Sequence, residues 1–278
     1  MSRILPDVDA LAAEIGDGAT IAIPPDYAGV AVTATRALVR RGARNLTLVT
    51  VPASGLQADV LIGAGCVVAI ETAAVTMGEL GPAPRFVAAV KAGTLALKDS
   101  TCPAIHAALQ ASEKGLPFIP LRGLIGSDVA RHRADWRVID NPFADAKDPI
   151  VLLPALKPDV ALFHAPLADR EGNVWVGRRR ELVTMAHAAK RSVVTVERIV
   201  DGSLLADERT AAGVLPSLYV DGVAVAERGA WPIGLVDHYD TDLKEQRRYV
   251  TAAATDAGFA AWLADWLDAG AAGRAAAE

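Results

Sequence analysis

The sequence predicts an α/β fold, an open and mostly parallel sheet with helices on both faces. Short apolar runs alternate along the chain with helical patterns, which is typical of parallel strands joined by crossover helices. The run Cys66–Ile70 is apolar without alternation, as expected for a strand buried on both faces. The 278 residues are 52% hydrophobic and 22% charged, so the chain can bury a large core. We expect residues 1–278 to form a single domain.

The strands are predicted from short apolar runs that end at turn-forming or polar residues. Pro24 and Pro25 end the first run, because proline removes a backbone donor that a strand needs. In chain order the predicted strands are Ala19–Ile23, Leu46–Val51, Cys66–Ile70, Leu95–Leu97, Phe118–Leu121, Val151–Leu153, Val160–Phe163 and Val193–Val196.

The helices are predicted from apolar residues at helical spacing, with glycine as a stop after several of them. Pro103 suits the first turn of its helix, where no donor is needed. The clearest case is the last helix, in which Phe259, Trp262 and Trp266 share one face. The other predicted helices are Val30–Arg41, Gly55–Gly65, Pro84–Ala92, Pro103–Lys114 and Arg180–Lys190. Ala130–Pro149 is poor in apolar residues and is predicted to be a long surface excursion.

Charge and composition exclude several classes of function. A net charge of −5 argues against nucleic acid as a partner, because binding phosphate needs clustered Lys and Arg, and the dense basic run is confined to Arg178–Arg180. No apolar stretch reaches the ~18 residues that a membrane span requires. Two cysteines and the absence of a secretion signal in the sequence predict a cytoplasmic protein. Five histidines show no metal-ligand spacing, so no metal site is expected.

Polar residues follow several of the predicted strands. Because the carboxyl ends of parallel strands meet at one edge of a sheet, we expect these residues to converge there. Carboxylates, hydroxyls, an arginine and flexible glycines suit an acyl or carboxylate substrate. The residues are Asp26, Tyr27, Ser54, Glu71, Glu79, Arg122, Ser127 and His164.

Each of these residues also has a structural interpretation. Asp26 and Ser54 are common turn formers. Glu71 ends an apolar strand and can be a buried carboxylate in a hydrogen-bond network. Glu79 lies among glycines and can be a solvated loop residue, while Arg122 can cap a helix end or pair with a nearby aspartate. The sequence alone leaves both sets of interpretations open.

Familiar nucleotide and hydrolase motifs are missing from the sequence. The first strand is not followed by the Gly-x-Gly-x-x-Gly that binds dinucleotides, and no Gly-x-x-x-x-Gly-Lys-Ser/Thr occurs. No Gly-x-Ser-x-Gly nucleophile elbow occurs either, which argues against an α/β-hydrolase.

One segment carries a family resemblance. Residues 158–174 resemble the Asp-Val-Ala-x-x-His-x-x-x-Ala-Asp-x-x-Gly-Asn segment of the class I coenzyme A transferases. Residues 61–67, 115–122 and 188–200 also match this family. The resemblance covers roughly residues 10 to 250 and points to the α-type subunit, like that of glutaconate CoA-transferase.

The resemblance implies a CoA-transferase-like fold and an active site shared with a β-type subunit. In the family a glutamate attacks the thioester carbonyl of an acyl-CoA, forms an anhydride, and is then converted to a glutamyl-CoA thioester. A carboxylate suits this cycle because it is both nucleophile and leaving group. The resemblance therefore implies coenzyme A as a substrate, no permanently bound cofactor, and a small carboxylic acid as the acceptor. The family's nucleophile lies in a segment of the β-type subunit, and that segment does not occur in this sequence.

The first loop departs from the family pattern. Where the family has Gly-Gly-Phe/Trp-Gly, this chain has Pro24-Pro25-Asp26-Tyr27-Ala28-Gly29, and its two prolines remove two N–H donors. This favours two alternatives beside CoA transfer: a CoA-ester or C–C hydrolase on the same fold, and a non-catalytic binding subunit.

The resemblance and the strand ends together give two groups of candidate site residues. We predict Glu79, then Glu71, as acid or base. The predicted substrate-binding residues are Asp26, Tyr27, Gly29, Ser54, Arg122 and Ser127.

Overall fold

The computed structural model describes residues 3–275. Its strands are β1 Arg3–Ile4, β2 Thr20–Ile23, β3 Leu46–Thr50, β4 Ala53–Ser54, β5 Val67–Thr72, β6 Ala74–Val75, β7 Ala96–Asp99, β8 Phe118–Leu121, β9 Arg137–Asp140, β10 Pro149–Pro154, β11 Val160–Asp169, β12 Val174–Trp175, β13 Arg191–Val200, β14 Val214–Leu215 and β15 Gly222–Val225. Its helices are α1 Val8–Ala13, α2 Val32–Arg40, α3 Leu56–Gly63, α4 Pro84–Ala92, α5 Cys102–Glu113, α6 Asp128–His132, α7 Arg180–Ala188, α8 Glu208–Ala211, α9 Leu243–Ala253 and α10 Asp256–Ala275.

The main sheet has the strand order β1-β15-β13-β11-β2-β3-β5-β7, and all of these neighbours are parallel. Two short antiparallel additions, β12 and β14, extend it from the far end of β11. This confirms the predicted α/β class with a mostly parallel sheet. The parallel arrangement brings the carboxyl ends of β2, β3, β5, β11 and β13 to one edge.

Alternate residues of each strand pack into cores on opposite faces of the sheet, as the two-residue period of a strand requires. In β11, Val160 and Leu162 face one core, while Ala161 and Phe163 face the other. The first core receives residues of α1, α2, α3, α9 and α10, and the second receives residues of α5 and α7. Helices therefore cover both faces, as the sequence predicts.

The predicted helices are confirmed to within a few residues at each end. The stripe in the last helix is buried as expected: Phe259, Trp262 and Trp266 are 4 to 6% exposed. Tyr249 of α9 packs against this stripe with its ring edge-on to Trp262. The Tyr249 hydroxyl also donates a 2.6 Å hydrogen bond to the buried carboxylate of Asp59 on α3, so the two C-terminal helices are joined to the first half of the chain.

Two expectations about strands are wrong. Phe118–Leu121 and Val151–Leu153 do not join the parallel sheet; β8 and β10 pair antiparallel with each other, and β9 completes a separate small sheet. The predicted surface excursion Ala130–Pro149 contains β9 and the end of α6. After β8 the chain forms β9 and then returns as β10, which lies between β8 and β9 and is antiparallel to both. Antiparallel pairing of this kind needs no crossover helix.

The strand expected to be buried on both faces is also partly exposed. Val68 of β5 is 44% exposed. β5 lies beside β7, the last strand in the order, whose side chains are all exposed. One face of the sheet therefore meets solvent at this end.

None of the helices within residues 3–275 is both long and apolar enough to cross a membrane.

Candidate functional site

A cleft of about 680 Å³ lies at the carboxyl edge of the main sheet. Three loops from the first part of the chain and one C-terminal segment form its walls. The loops follow β2, join β4 to α3, and follow β6. Its lining residues are Pro25, Asp26, Tyr27, Ala53, Ser54, Gly55, Thr76, Met77, Gly78, Glu79, Leu80, Ile233, Gly234, Val236, Tyr239, Asp240, Thr241, Leu243, Gln246 and Arg247. The structure thus brings together Asp26, Tyr27, Ser54 and Glu79, four of the residues that the sequence singles out.

Asp26 is held against the start of α3. Its Oδ2 accepts a hydrogen bond from the backbone N–H of Leu56 at 3.2 Å, while its Oδ1 is closed off from solvent without a partner among the described residues. Burial raises the pKa of Asp26 to about 6; the N–H groups of Leu56 and Gly55 oppose this shift, and the nearby Asp59 adds to it. Asp26 is therefore a carboxyl group that changes charge near neutral pH.

Gly55 makes this contact possible. A Cβ atom at Gly55 would lie 2.3 Å from Asp26 Oδ2 and 2.7 Å from the carbonyl oxygen of Thr76. Any side chain there would displace the carboxylate or the loop. Ser54, just before it, is 3% exposed, and its Oγ has no partner among the described residues. The wall at the start of α3 thus contains two polar groups whose hydrogen-bonding capacity is unused.

Glu79 lies in an exposed turn that follows β6 in the cleft lining. The turn is the 3₁₀ helix Gly78–Leu80. Gly78 begins it at φ 62°, and Gly81 follows it at φ 97°. A hydrogen bond from Met77 N to Gly81 O closes the turn at 2.9 Å. These left-handed conformations favour glycine. Glu79 is exposed, lines the cleft and belongs to no buried network.

The C-terminal wall is anchored by a buried network that includes His164. His164 is fully buried at the middle of β11; its Nε2 lies 2.8 Å from Glu197 Oε1 and its Nδ1 lies 2.9 Å from Thr195 Oγ1. Tyr239, which lines the cleft, donates its hydroxyl to the same Glu197 oxygen at 2.7 Å. The network therefore fixes the position of Tyr239 in the wall.

In this network Glu197 is ionised and His164 is neutral. Burial lowers the pKa of His164, so the ring is neutral, with its Nε2 proton directed at Glu197 and its Nδ1 accepting from Thr195. Burial also acts on Glu197, but the hydrogen bonds from His164, Tyr239 and the Arg228 N–H outweigh it and lower its pKa to about 2. The backbone N–H of Gly229 is a fourth donor to Glu197, at 3.2 Å. An ionised carboxylate with four donors is a stable anchor, which indicates a structural role for His164.

Glu71 lies outside the cleft, in a smaller cavity of about 170 Å³. It is 6% exposed, and its Oε1 accepts a hydrogen bond from Arg133 Nη2 at 2.8 Å. Arg133 also donates to Asp135 and to the carbonyl oxygen of Asp99, and its guanidinium lies over the ring of Trp136. Burial raises the pKa of Glu71, and Arg133 opposes this rise. This arrangement matches the structural interpretation of Glu71, a buried carboxylate in a hydrogen-bond network.

Arg122 and Ser127 also lie outside the cleft, because β8 belongs to the small sheet. The guanidinium of Arg122 makes a bidentate ion pair with Asp148, in which Nη2 donates to Oδ2 at 2.6 Å. Ser127 caps α6 by accepting from Ala130 N at 3.3 Å. Gly29 approaches β11 so closely that an added Cβ would lie 2.1 Å from the carbonyl oxygen of His164. The structure thus separates these three residues from the cleft-lining group.

Sequence reasoning missed the C-terminal wall. Tyr239, Asp240 and Arg247 line the cleft, and Glu197 holds Tyr239. Tyr239 and Asp240 belong to the segment between β15 and α9, which has no periodic pattern from which its position could be predicted. Arg247 lies on α9, whose position depends on that segment. Glu197 had a detectable signal, since it follows an apolar strand as Glu71 does.

Within residues 3–275, no group of three or more His, Cys, Asp or Glu side chains is arranged to hold a metal ion.

The model of the coenzyme A transferase family matches residues 7–226 of the chain. The chain belongs to the coenzyme A transferase family. One subunit of the 3-oxoadipate CoA-transferase of Pseudomonas knackmussii is 30% identical over 274 residues, covering 96% of this chain and 94% of the relative. The crystal structure of glutaconate coenzyme A-transferase from Acidaminococcus fermentans superposes with a TM-score of 0.88 at 27% identity, covering 96% of this chain and 89% of that one.

These similarities confirm that the chain is an α-type subunit of an enzyme in this family, with the family's fold. A third relative is named for a different reaction. The cholesterol ring-cleaving hydrolase IpdA subunit of Rhodococcus jostii is 32% identical over 241 residues, covering 84% of this chain and 80% of the relative. The family resemblance is therefore compatible with two types of chemistry on one scaffold.

Proposed function

We propose that this α-type subunit, with a β-type partner, transfers coenzyme A between carboxylic acids in the cleft that contains Asp26, Ser54 and Glu79. The observation that carries this proposal is the convergence of these side chains in one cleft of a chain from this family. Arg247 is a cation in the lining that can pair with the carboxylate of the acid.

The open side of the cleft supports a partner subunit. Tyr27, Val236 and Leu243 line this side and are 71%, 50% and 51% exposed. Exposed apolar side chains around a cleft are typical of a surface that a partner covers. A β-type subunit docked there would bring its glutamate to the substrate, since this sequence lacks the family's nucleophile segment.

The covalent steps belong to that glutamate. Its carboxylate attacks the thioester carbonyl of the acyl-CoA, the C–S bond breaks, and an acyl-glutamyl anhydride forms with release of the CoA thiolate. The thiolate then attacks the glutamyl carbonyl of the anhydride, which gives a glutamyl-CoA thioester and releases the first acid. A second acid reverses these steps and leaves as its CoA ester.

The residues of this chain bind the substrate and handle charge. Ser54 Oγ is a hydroxyl with unused hydrogen-bonding capacity beside the cleft, and Tyr239 is a phenol held in place by Glu197. Glu79 is the in-chain acid or base, because it is an exposed carboxylate that lines the same cleft as Asp26 and Ser54. Asp26, Tyr27 and Ser54 form the substrate-binding wall, while Glu71, Gly29, Arg122 and Ser127 support the fold.

The proposal is tested by producing the chain together with a β-type subunit from the same genome. We expect the two chains to copurify and to move CoA from acetyl-CoA or succinyl-CoA to an added labelled acid. If the chains do not associate and the mixture shows no acyl-CoA activity, the proposal is overturned.

A Glu79→Gln variant tests the in-chain acid or base. We expect kcat/KM of the complex to fall by about 10²–10⁴, the usual contribution of a positioned acid or base. The thermal unfolding temperature should not change, because Glu79 is exposed. Glu208→Gln on α8, equally exposed and outside the cleft, is the matched control and should leave the rate unchanged. A Glu79→Gln complex with the wild-type rate would remove Glu79 from the proposal.

Hydrolysis of a CoA ester or of a C–C bond is the second candidate. The similarity to the Rhodococcus jostii hydrolase subunit favours it, as does the loop in which Pro24 and Pro25 replace two potential N–H donors. In this reaction Glu79 would activate a water molecule in the cleft. Release of free CoA without any acceptor acid distinguishes hydrolysis from transfer, in which CoA leaves only when an acid is present.

A further inference from the structure

A second cavity opens beside the cleft. It has a volume of about 820 Å³ and is lined by Tyr27, Trp175, Gly177, Arg178, Arg179, Glu181, Val236 and Asp237. Tyr27 and Val236 line both cavities, so the two spaces adjoin along these two side chains. A ligand with a long flexible arm can therefore occupy both at once.

Two arginines in the second cavity have no ion-pair partner among residues 3–275. Arg178 is exposed, and Arg179 is half-buried with its Nη1 donating only to the carbonyl oxygen of Val176, at 3.4 Å. Burial lowers the pKa of Arg179, Glu181 and Asp237 oppose this effect, and the neighbouring Arg178 adds to it. Glu181 and Asp237 lie in the same cavity without forming an ion pair with Arg179 among the described residues, so its guanidinium has donors left for an anionic ligand.

The position of these arginines in the fold also favours an anionic ligand. Arg178–Arg180 form the basic run at the start of α7, where the helix dipole disfavours positive charge. The acidic residue at this end is Glu181, in the first turn. A negatively charged ligand between Arg178 and Arg179 would offset both the dipole and the mutual repulsion.

Trp175 supplies an aromatic surface in the same cavity, and its strand holds it firmly. Trp175 pairs with Leu167 on one side and Val214 on the other. The backbone of Gly213 lies beneath it: an added Cβ there would lie 3.0 Å from the indole Nε1 and 2.7 Å from Gly177 Cα. An indole fixed in this way, next to guanidinium groups, is suited to stacking with a purine base.

The carboxylates in the cavity narrow the choice of ligand. Glu181 and Asp237 also line it and would repel a simple anion such as inorganic phosphate. They accept hydrogen bonds, which matches a ligand that combines phosphate groups with a donor such as the exocyclic amine of adenine. Tyr27, the remaining titratable group in the lining, lies at the opening to the cleft.

We propose that this second cavity binds the phosphorylated adenosine end of a coenzyme A thioester, with Arg178 and Arg179 on its phosphates and Trp175 against its base. The pantetheine arm then passes Tyr27 and Val236 into the cleft, where the thioester lies. This assignment rests on the proposed function and places part of the substrate recognition on this chain. The reacting carbonyl stays in the cleft, so the three residues set specificity and take no part in bond making.

The test compares two thioesters with the same acyl group, acetyl-CoA and S-acetylpantetheine, in the complex with the β-type subunit. For Arg178→Ala and Arg179→Ala, we expect the ratio of kcat/KM for acetyl-CoA over that for S-acetylpantetheine to fall about tenfold or more, as expected for a lost charge-assisted phosphate contact. Arg180→Ala is the matched control: Arg180 belongs to the same basic run but does not line the cavity, so the ratio should not change. Equal losses with both thioesters, or no loss with either, would overturn the assignment.

A binding measurement makes the inference independent of turnover. Calorimetry on the purified chain should show that adenosine 3′,5′-bisphosphate binds the wild type at least about tenfold more tightly than Arg179→Ala or Trp175→Ala. Inorganic phosphate should bind more weakly than the nucleotide, and equal affinity would indicate a general anion site. If acyl-CoA activity is absent but nucleotide binding depends on Arg179, the proposed function fails while the cavity assignment stands. If activity is present but nucleotide binding is absent, the assignment fails alone.

Discussion

Glu71 and Asp26 are two carboxylates near the carboxyl ends of strands in the same sheet, and their surroundings differ sharply. Glu71 lies against Arg133, whose guanidinium donates to it at 2.8 Å. Asp26 has backbone N–H groups at one oxygen and no partner among the described residues at the other. A buried charge matched by a cation stabilises the fold, whereas an unmatched one beside a cleft keeps its hydrogen-bonding capacity and its proton for a ligand.

The largest effect should come from breaking the matched pair. Arg133→Ala leaves Glu71 buried without its counter-charge, so we expect the free energy of unfolding to fall by about 3–5 kcal/mol in urea denaturation. Arg122→Ala is the matched control, because it removes an exposed guanidinium from its pair with Asp148 and should cost no more than about 1 kcal/mol. Equal losses in the two variants would show that the Glu71 pair is not the buried anchor described above.

A smaller effect with the opposite sign should come from Asp26→Asn. The pKa of Asp26 is raised from 3.8 to about 6, so the folded state binds the proton more tightly than the unfolded state. The resulting cost is absent below pH 3.8, grows as the pH rises to 6, and is complete above it. We therefore expect the variant to be more stable than the wild type at pH 7.5, by about 3 kcal/mol at most.

This gain should shrink towards zero as the pH falls to 4, and thermal unfolding between pH 4 and pH 7.5 measures it. A variant that is less stable than the wild type across this range would show that ionised Asp26 stabilises the fold, as Glu71 with Arg133 does.

The smallest effect is expected at Ser54. Ser54→Ala removes a buried hydroxyl that has no partner among the described residues, so the free energy of unfolding should stay within about 1 kcal/mol of the wild type, with any change a gain. Thr50→Val is the comparison, since the Thr50 hydroxyl donates to Pro52 O at 2.7 Å and its Oγ1 also lies 2.7 Å from Thr72 Oγ1. It should lose about 1–3 kcal/mol, because the two hydrogen bonds of a buried hydroxyl are removed. A large loss at Ser54 would reveal a hydrogen bond to this hydroxyl.

Much of the fold could be predicted because strand and helix patterns are local. The run Pro84–Ala92 gives the helix limits directly, and Leu46–Val51 differs from its strand by one residue. Local patterns do not encode strand partners, and for this reason Phe118–Leu121 and Val151–Leu153 were assigned to the wrong sheet. Their mutual antiparallel pairing depends on the path of the chain between them, which has no strong periodicity.

The candidate site was predictable where a polar residue follows a parallel strand, as Asp26 does, or lies in a glycine turn beside one, as Glu79 does. The same rule also selected Arg122, because β8 was expected in the main sheet. The C-terminal wall could not be predicted, since the segment between β15 and α9 has no periodicity and its path places both Tyr239 and α9, which carries Arg247. The partner of a buried carboxylate is equally invisible: Arg133 is 62 residues from Glu71.

The hydrogen bond between Asp59 and Tyr249 joins residues 190 positions apart. Asp59 lies on the helix whose first N–H group holds Asp26. Tyr249 lies on α9, the helix that carries Arg247 of the C-terminal wall. During synthesis on the ribosome, the sheet strands and most helices emerge well before α9 and α10. The chain therefore acquires a ligand-binding surface only at the end of its translation, so a nascent polypeptide released short of α9 would carry the sheet without a finished cleft.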